Sequence, residues 1–180
     1  MASSVIFLVL LQLCGLQLML VAMPTCRMRE NLVRTSHHLL RDLGGPFPVH
    51  CLQYNVNISF PDSALPATSA NQAQCRRALW VVYETLNETQ LILQNNHLPV
   101  GGGGVTWDEG KLDTFMNLQE RLLEEGSCLS TGPHAVSSYF SNVTAVLQHK
   151  ESAACGWMAL RRDVLRVLKI VLHKHHNCFL

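Results

Sequence analysis

Six cysteines could do chemistry outside the apolar N-terminal run: Cys26, Cys51, Cys75, Cys128, Cys155 and Cys178. A cysteine can attack as a thiolate, ligate a metal or close a disulfide. An even number in an exported chain points to disulfides, and full pairing would leave no nucleophile. Histidine is the second candidate, with nine in the chain. His37-His38 is a lesser pair; His173, His175 and His176 near the C-terminus could hold zinc, but no carboxylate side chain or free thiol lies close to those three in sequence. They read as a solvated helix end whose cations favour the helix dipole. The run Gly101 to Gly104 lacks the Gly-Lys-Ser/Thr of a phosphate loop. Neither Gly-x-Ser-x-Gly nor His-Glu-x-x-His occurs. The expectation is a chain that is no enzyme, with no catalytic residue, no metal and no cofactor.

Compartment follows from the N-terminus. Val5 to Ala22 is almost wholly apolar and uncharged, and a small residue ends it just before Arg27 and Arg29. This reads as a secretory signal peptide over residues 1–22, with a signal anchor as the alternative, leaving one domain over 23–180. Cys14 would leave with that peptide. Three sequons at Asn57, Asn87 and Asn142 fit the same route and are candidate glycosylation sites. A formal charge of +1 gives no global case for nucleic acid.

The elements that must position the cysteines are helices. Apolar residues recur at helical spacing and almost never alternate. Five segments result: α1 about 25–43, α2 about 71–95, α3 about 107–125, α4 about 133–149 and α5 about 153–175. Thr106 and Glu109 form a capping-box pattern ahead of α3, and Ser152 is a candidate cap for α5. Trp80 and Trp157 read as core, and Trp107 as partly exposed. The fold class is therefore all-α. The long link from Gly44 to about Ala70 lets α1 and α2 run parallel, while shorter links favour antiparallel neighbours. That makes an up-up-down-down bundle with a long overhand loop.

This topology sorts the cysteines by end of the bundle. Cys51 and Cys155 fall at one end and pair. Cys26, Cys75, Cys128 and Cys178 fall at the other. Cys26–Cys128 and Cys75–Cys178 are the expected bridges there, with exchanged pairing still open.

The stretch "CGWMALRRDVLRVL" opens α5. Trp157, Leu160, Val164, Val167, Leu168 and Val171 make one core-facing stripe. Met158 and Leu165 read as apolar residues off that stripe, flanked by Arg161, Arg162 and Lys169. An apolar centre with a basic rim has the make-up of a protein-binding patch.

This stretch is similar to the Cys-Ala-Trp-Glu-x-Val-Arg-x-Glu-Val-x-Arg signature of type I interferons. "PFPVHCLQYNVNISFP" resembles the family's loop, a Cys-Leu dipeptide followed by Phe-Pro. The Cys26–Cys128 and Cys51–Cys155 pairs match the family's bridges. Cys75–Cys178 resembles the cysteine-richer type I interferons of bony fishes. Gly156 and Met158 replace the signature's Ala and Glu. The resemblance implies a secreted, monomeric helical cytokine that binds a heterodimeric class II cytokine receptor at the cell surface. JAK–STAT signalling and antiviral gene expression would follow, with no nucleic acid and no stable membrane association. Arg161, Leu165 and Arg166 match positions that contact the high-affinity receptor chain in that family, Leu52 matches another, and Arg162 lies among them. Asn55 stands where the mammalian pattern tends to have Arg. The competing reading is a membrane-active defence protein using the basic amphipathic α5 on anionic lipid.

Overall fold

The computed structural model describes residues 26, 28–54, 58–67, 71–97, 105–129 and 136–180. The expected signal peptide, Asn55, Asn57 and the glycine run lie outside the described residues. Five α-helices form where the apolar spacing requires: α1 Glu30–Asp42, α2 Gln72–Asn95, α3 Glu109–Glu125, α4 Ser137–Leu147 and α5 Ala153–Lys174. Short 3₁₀ turns lie at Val49–Tyr54, Asp62–Ala64, Ser127–Leu129 and His176–Cys178. No strand occurs among the described residues.

Helix directions follow from which ends meet. Asp108 N donates to Leu43 O at 3.0 Å, so α3 starts where α1 ends. The disulfide Cys26–Cys128 joins the lead-in of α1 to the turn after α3, with Cα atoms 5.9 Å apart. Cys75–Cys178 joins the first turn of α2 to the turn after α5, at 5.1 Å. Cys51–Cys155 ties the overhand loop to the head of α5, at 5.2 Å. All three spans suit a disulfide. Both α1 and α2 pack against α3 and α5, which places α1 and α2 diagonally as the parallel pair. This is the up-up-down-down bundle the link lengths imply, and the exchanged cysteine pairing does not occur.

Helix α2 is buried nearly all round at its middle, from Ala78 to Val82 and from Glu84 to Leu86. The reason is its neighbours: α3, α4 and α5 all cover it. On α5 the six-residue stripe from Trp157 to Val171 is buried as its period demands. Gly156 allows α4 close, because a Cβ there would lie 2.9 Å from Leu147 Cδ2.

Four expectations are corrected. Helix α1 starts later than residue 25 because the lead-in is held extended. Leu180 N donates to Met28 O at 3.0 Å and Glu30 N to Leu180 O at 3.2 Å, so the C-terminus pairs with it. The cap of α3 is Asp108, whose carboxylate accepts from Lys111 N at 2.9 Å, and not Thr106. Ser152 occupies the cap position of α5, yet its hydroxyl turns back to Val146 O at 2.8 Å and closes α4. Trp107 is buried, its ring edge-to-face on Trp157 at 5.6 Å between centroids.

His175 departs from the solvated helix end expected of it, while His173 and His176 are exposed. Burial pulls the His175 pKa below its ordinary 6.5, partly opposed by the Pro66 backbone. Half-buried His37 shifts the same way, through burial first and then the cations His38, Arg41, Lys169 and Arg34. Well above pH 6.5 both rings are neutral whether folded or unfolded, so they add no pH dependence there. Below it, the unfolded chain takes up protons first and stability falls. Urea denaturation from pH 7.5 downward is expected to show that decline, flattened in His175→Asn. An unchanged slope in the variant would remove His175 from the account.

Candidate functional site

Arg161 lies in the third turn of α5 and faces the end of α1. Its guanidinium donates to Leu40 O at 2.6 Å, Arg41 O at 2.6 Å, Gly44 O at 2.8 Å and Gly45 O at 2.7 Å. Leu40 O and Arg41 O are among the carbonyls that a helix end leaves without intrahelical partners, and the other two belong to the bend that follows. A planar fork of donors can reach several of them, and its charge suits the negative end of the α1 dipole. Arg161 is 8 % exposed, so it does not border the core as the helical period suggests. Burial lowers its pKa, opposed by the charge of Asp42. Met158, expected off the core, is likewise buried at 6 % exposure.

Arg162 organises the overhand loop. Its Nε donates to Asp163 Oδ1 at 2.7 Å and its Nη2 to Asp163 Oδ2 at 2.8 Å. Tyr139 of α4 donates to the same Oδ2 at 3.0 Å. Asp163 is thus a buried carboxylate shared between a cation and a phenol, the arrangement a buried charge needs. Burial, the charge of Asp163 and that hydrogen bond push the Tyr139 pKa far up, so it stays a donor. The Arg162 guanidinium also stacks 4.7 Å above the Phe47 ring, bringing the loop onto α5.

One helical turn on, the surface opens. Arg166 is exposed and donates to Asp62 Oδ1 of the loop at 2.6 Å. Leu165 is half-buried, and Lys169 is exposed beyond it. At the head of α5, Cys51–Cys155 pins the 3₁₀ turn Val49–Tyr54. Leu52 is 52 % exposed there and Val49 is 80 % exposed. Residues three apart eclipse in a 3₁₀ turn, so both project from one side. Val49 was not among the residues expected from sequence. Its signal was the three-residue spacing to Leu52 across a cysteine, legible only once that turn is known to be 3₁₀.

The structure therefore separates the expected residues. Leu52 and Arg166 are exposed along α5 and the loop tied to it, while Leu165 is half-buried against the core. Arg162 is half-buried and Arg161 is enclosed. Of the sequons, Asn142 is exposed on α4 and Asn87 is half-buried on α2. His50, Cys51 and Cys155 approach one another closely enough for a metal, but both sulfurs are committed to a disulfide.

Residues 27–175 match the family described as the interferon alpha/beta domain. The chain belongs to the type I interferon family. It is 30% identical to zebrafish interferon 2, with a TM-score of 0.66, over 82% of this chain and 99% of that one. Interferon alpha-B of Bos taurus is 30% identical over 147 residues, 71% of each chain. Interferon beta of Tachyglossus aculeatus aculeatus is 26% identical over 149 residues, 76% of this chain and 75% of its own. Three bridges and the zebrafish likeness make this a type I interferon similar to those of fishes. Such interferons are cytokines and not enzymes.

Proposed function

We propose that this interferon is secreted after removal of residues 1–22 and bridges two different cell-surface receptor chains as a monomer, triggering JAK–STAT signalling and antiviral gene expression. The observation that supports it most is the surface along α5. Exposed Val49 and Leu52 sit on a disulfide-pinned turn at its head, and Leu165 and Arg166 lie farther along the same helix. Aliphatic anchors on a rigid turn, with arginine at the rim, suit a hot spot that loses little entropy on binding. Arg161 and Arg162 then act by positioning, one closing α1 and the other holding the loop. The family sustains the coarser statement, that such proteins act on cell-surface interferon receptors. The lipid-binding alternative is poorly supported. The apolar stripe of α5 is buried in the bundle, so the helix has no free apolar face to lay on a lipid surface.

Leu52→Ala, Leu165→Ala and Arg166→Ala are expected each to weaken receptor binding by about thirtyfold, roughly 2 kcal/mol, with thermal stability unchanged for the two exposed residues and slightly lowered for Leu165→Ala, which packs against the core. Binding to purified receptor ectodomains and STAT phosphorylation in responsive cells check this. Wild-type binding by all three variants would remove the α5 surface as the receptor site.

A further inference from the structure

Charge is unevenly distributed in this chain. From Val164 to Leu180 there are Arg166, Lys169 and Lys174, with His173, His175 and His176, but no Asp or Glu. From Asn71 to Tyr83 there are Arg76 and Arg77, again with no acid. The acids concentrate elsewhere: α3 carries Glu109, Asp113, Glu120, Glu124 and Glu125 against Lys111 and Arg121. Helix α3 packs on α1 and α2, diagonally across the bundle from α5. The molecule is thus polarised although its formal charge is only +1.

The third disulfide concentrates the basic side. Cys75 and Cys178 bring the first turns of α2 against the end of α5, with Cα atoms 5.1 Å apart. Arg76 and Arg77 immediately follow Cys75, and Lys174 and His176 closely precede Cys178. All four are exposed, as is His173. Arg77 Nη2 donates to Ser63 O at 2.8 Å, which leaves its charge unneutralised. Among the described residues, Glu125 at the end of α3 comes to the same end of the bundle and is paired with Arg29. Asp62 is paired with Arg166, and the terminal residue Leu180 is folded against Met28 and Glu30 of α1. The large apolar side chains that are exposed, Val49, Leu52, Leu91 and Leu180, all lie outside this pair of turns.

We propose that the exposed cations Arg76, Arg77 and Lys174, gathered by the Cys75–Cys178 bridge, bind sulfated glycosaminoglycan chains. Disulfide bonding marks an oxidising compartment, where sulfated polysaccharides are the abundant linear polyanions. Among the described residues, the two basic turns carry no exposed Phe, Tyr or Trp for base stacking, and Leu180 at their margin is a single aliphatic tip, so an ionic ligand fits them best. Such binding is distinct from the receptor surface and would concentrate the cytokine near its site of release.

Heparin is the probe, measured by surface plasmon resonance over a range of NaCl. The folded protein is expected to bind at about 0.15 M salt with strong salt dependence. The triple variant Arg76→Gln, Arg77→Gln, Lys174→Gln should bind at least tenfold more weakly, with a salt slope lower by about 0.7–0.9 for each ion pair to sulfate that the substitutions remove. Arg76→Gln with Lys174→Gln, which spares the Ser63 bond, should lose part of this. Arg121→Gln on α3 should lose nothing. Receptor signalling by these variants should equal wild type, which separates this surface from the receptor site and shows that they fold. Wild-type heparin affinity in both multiple variants, or no binding by the wild type, overturns the proposal. So does equal or tighter binding to phosphatidylserine vesicles that is lost in the same variants.

Discussion

Arg161→Ala is expected to lower the stability of the fold by roughly 2–5 kcal/mol, since each buried acceptor left without a donor costs about 1–3 kcal/mol. Four carbonyls from the last turn of α1 and the Gly44-Gly45 bend converge on this one side chain. Alanine would leave them facing a space lined mainly by apolar groups, Leu40, the Trp107 ring and Val164 among them. Arg161→Lys should recover only part of the loss, since a single ammonium cannot satisfy a fan of acceptors built for a planar fork. Chemical denaturation followed by circular dichroism measures both. Signalling by Arg161→Ala should fall with stability and recover at lower temperature, unlike that of Leu165→Ala. An Arg161→Ala protein that melts like wild type yet fails to bind receptor would return Arg161 to direct contact.

That residue also shows where legibility in the sequence ended. The helical period placed Trp157, Leu160, Val164, Val167, Leu168 and Val171 correctly, because a helix facing one core has a single apolar stripe. The same period put Arg161 at the edge of that stripe and suggested exposure. What it could not contain is the end of α1, more than a hundred residues earlier, folding over that edge. Disulfide pairing was legible for a related reason. Link length set helix direction, direction assigned cysteines to ends, and only the choice among four at one end stayed open until the geometry resolved it.

Local caps were the least legible elements. Thr106 and Glu109 have the right types and spacing, but Asp108 stands nearer to the first free amide and already donates its own N–H to Leu43 O. A tertiary bond therefore selects where α3 begins. Ser152 was similarly redirected, since the turn between α4 and α5 offers its hydroxyl the carbonyls of Val146 and His149. Among candidate receptor residues, type and position were legible for Leu52, Leu165 and Arg166. Access was not, because exposure depends on how the overhand loop lies along α5.

Trp157→Ala is expected to cost roughly 3–5 kcal/mol, through loss of a large buried ring and the cavity left behind. Trp157 sits one helical position past Gly156, where α4 already packs too closely to relax inward around a new void. Its ring meets Trp107 edge-to-face, with planes at 69°. Trp107 is in turn fixed by Gly44, whose place any Cβ would contest at 2.9 Å from the indole Cδ1. The two tryptophans therefore join the head of α5 to the lead-in of α3 and the bend after α1. Trp107→Ala should cost less than Trp157→Ala, because the extended segment carrying it can shift. The double variant should fall short of the sum by about 0.5–1.5 kcal/mol, the coupling of an aromatic pair. Urea denaturation with disulfides intact gives all three values. Strict additivity would mean that the rings merely fill space side by side. A Trp157→Ala loss below about 1 kcal/mol, far under the usual cost of such a truncation, would mean that the disulfides, not this core, hold the head of α5 in place.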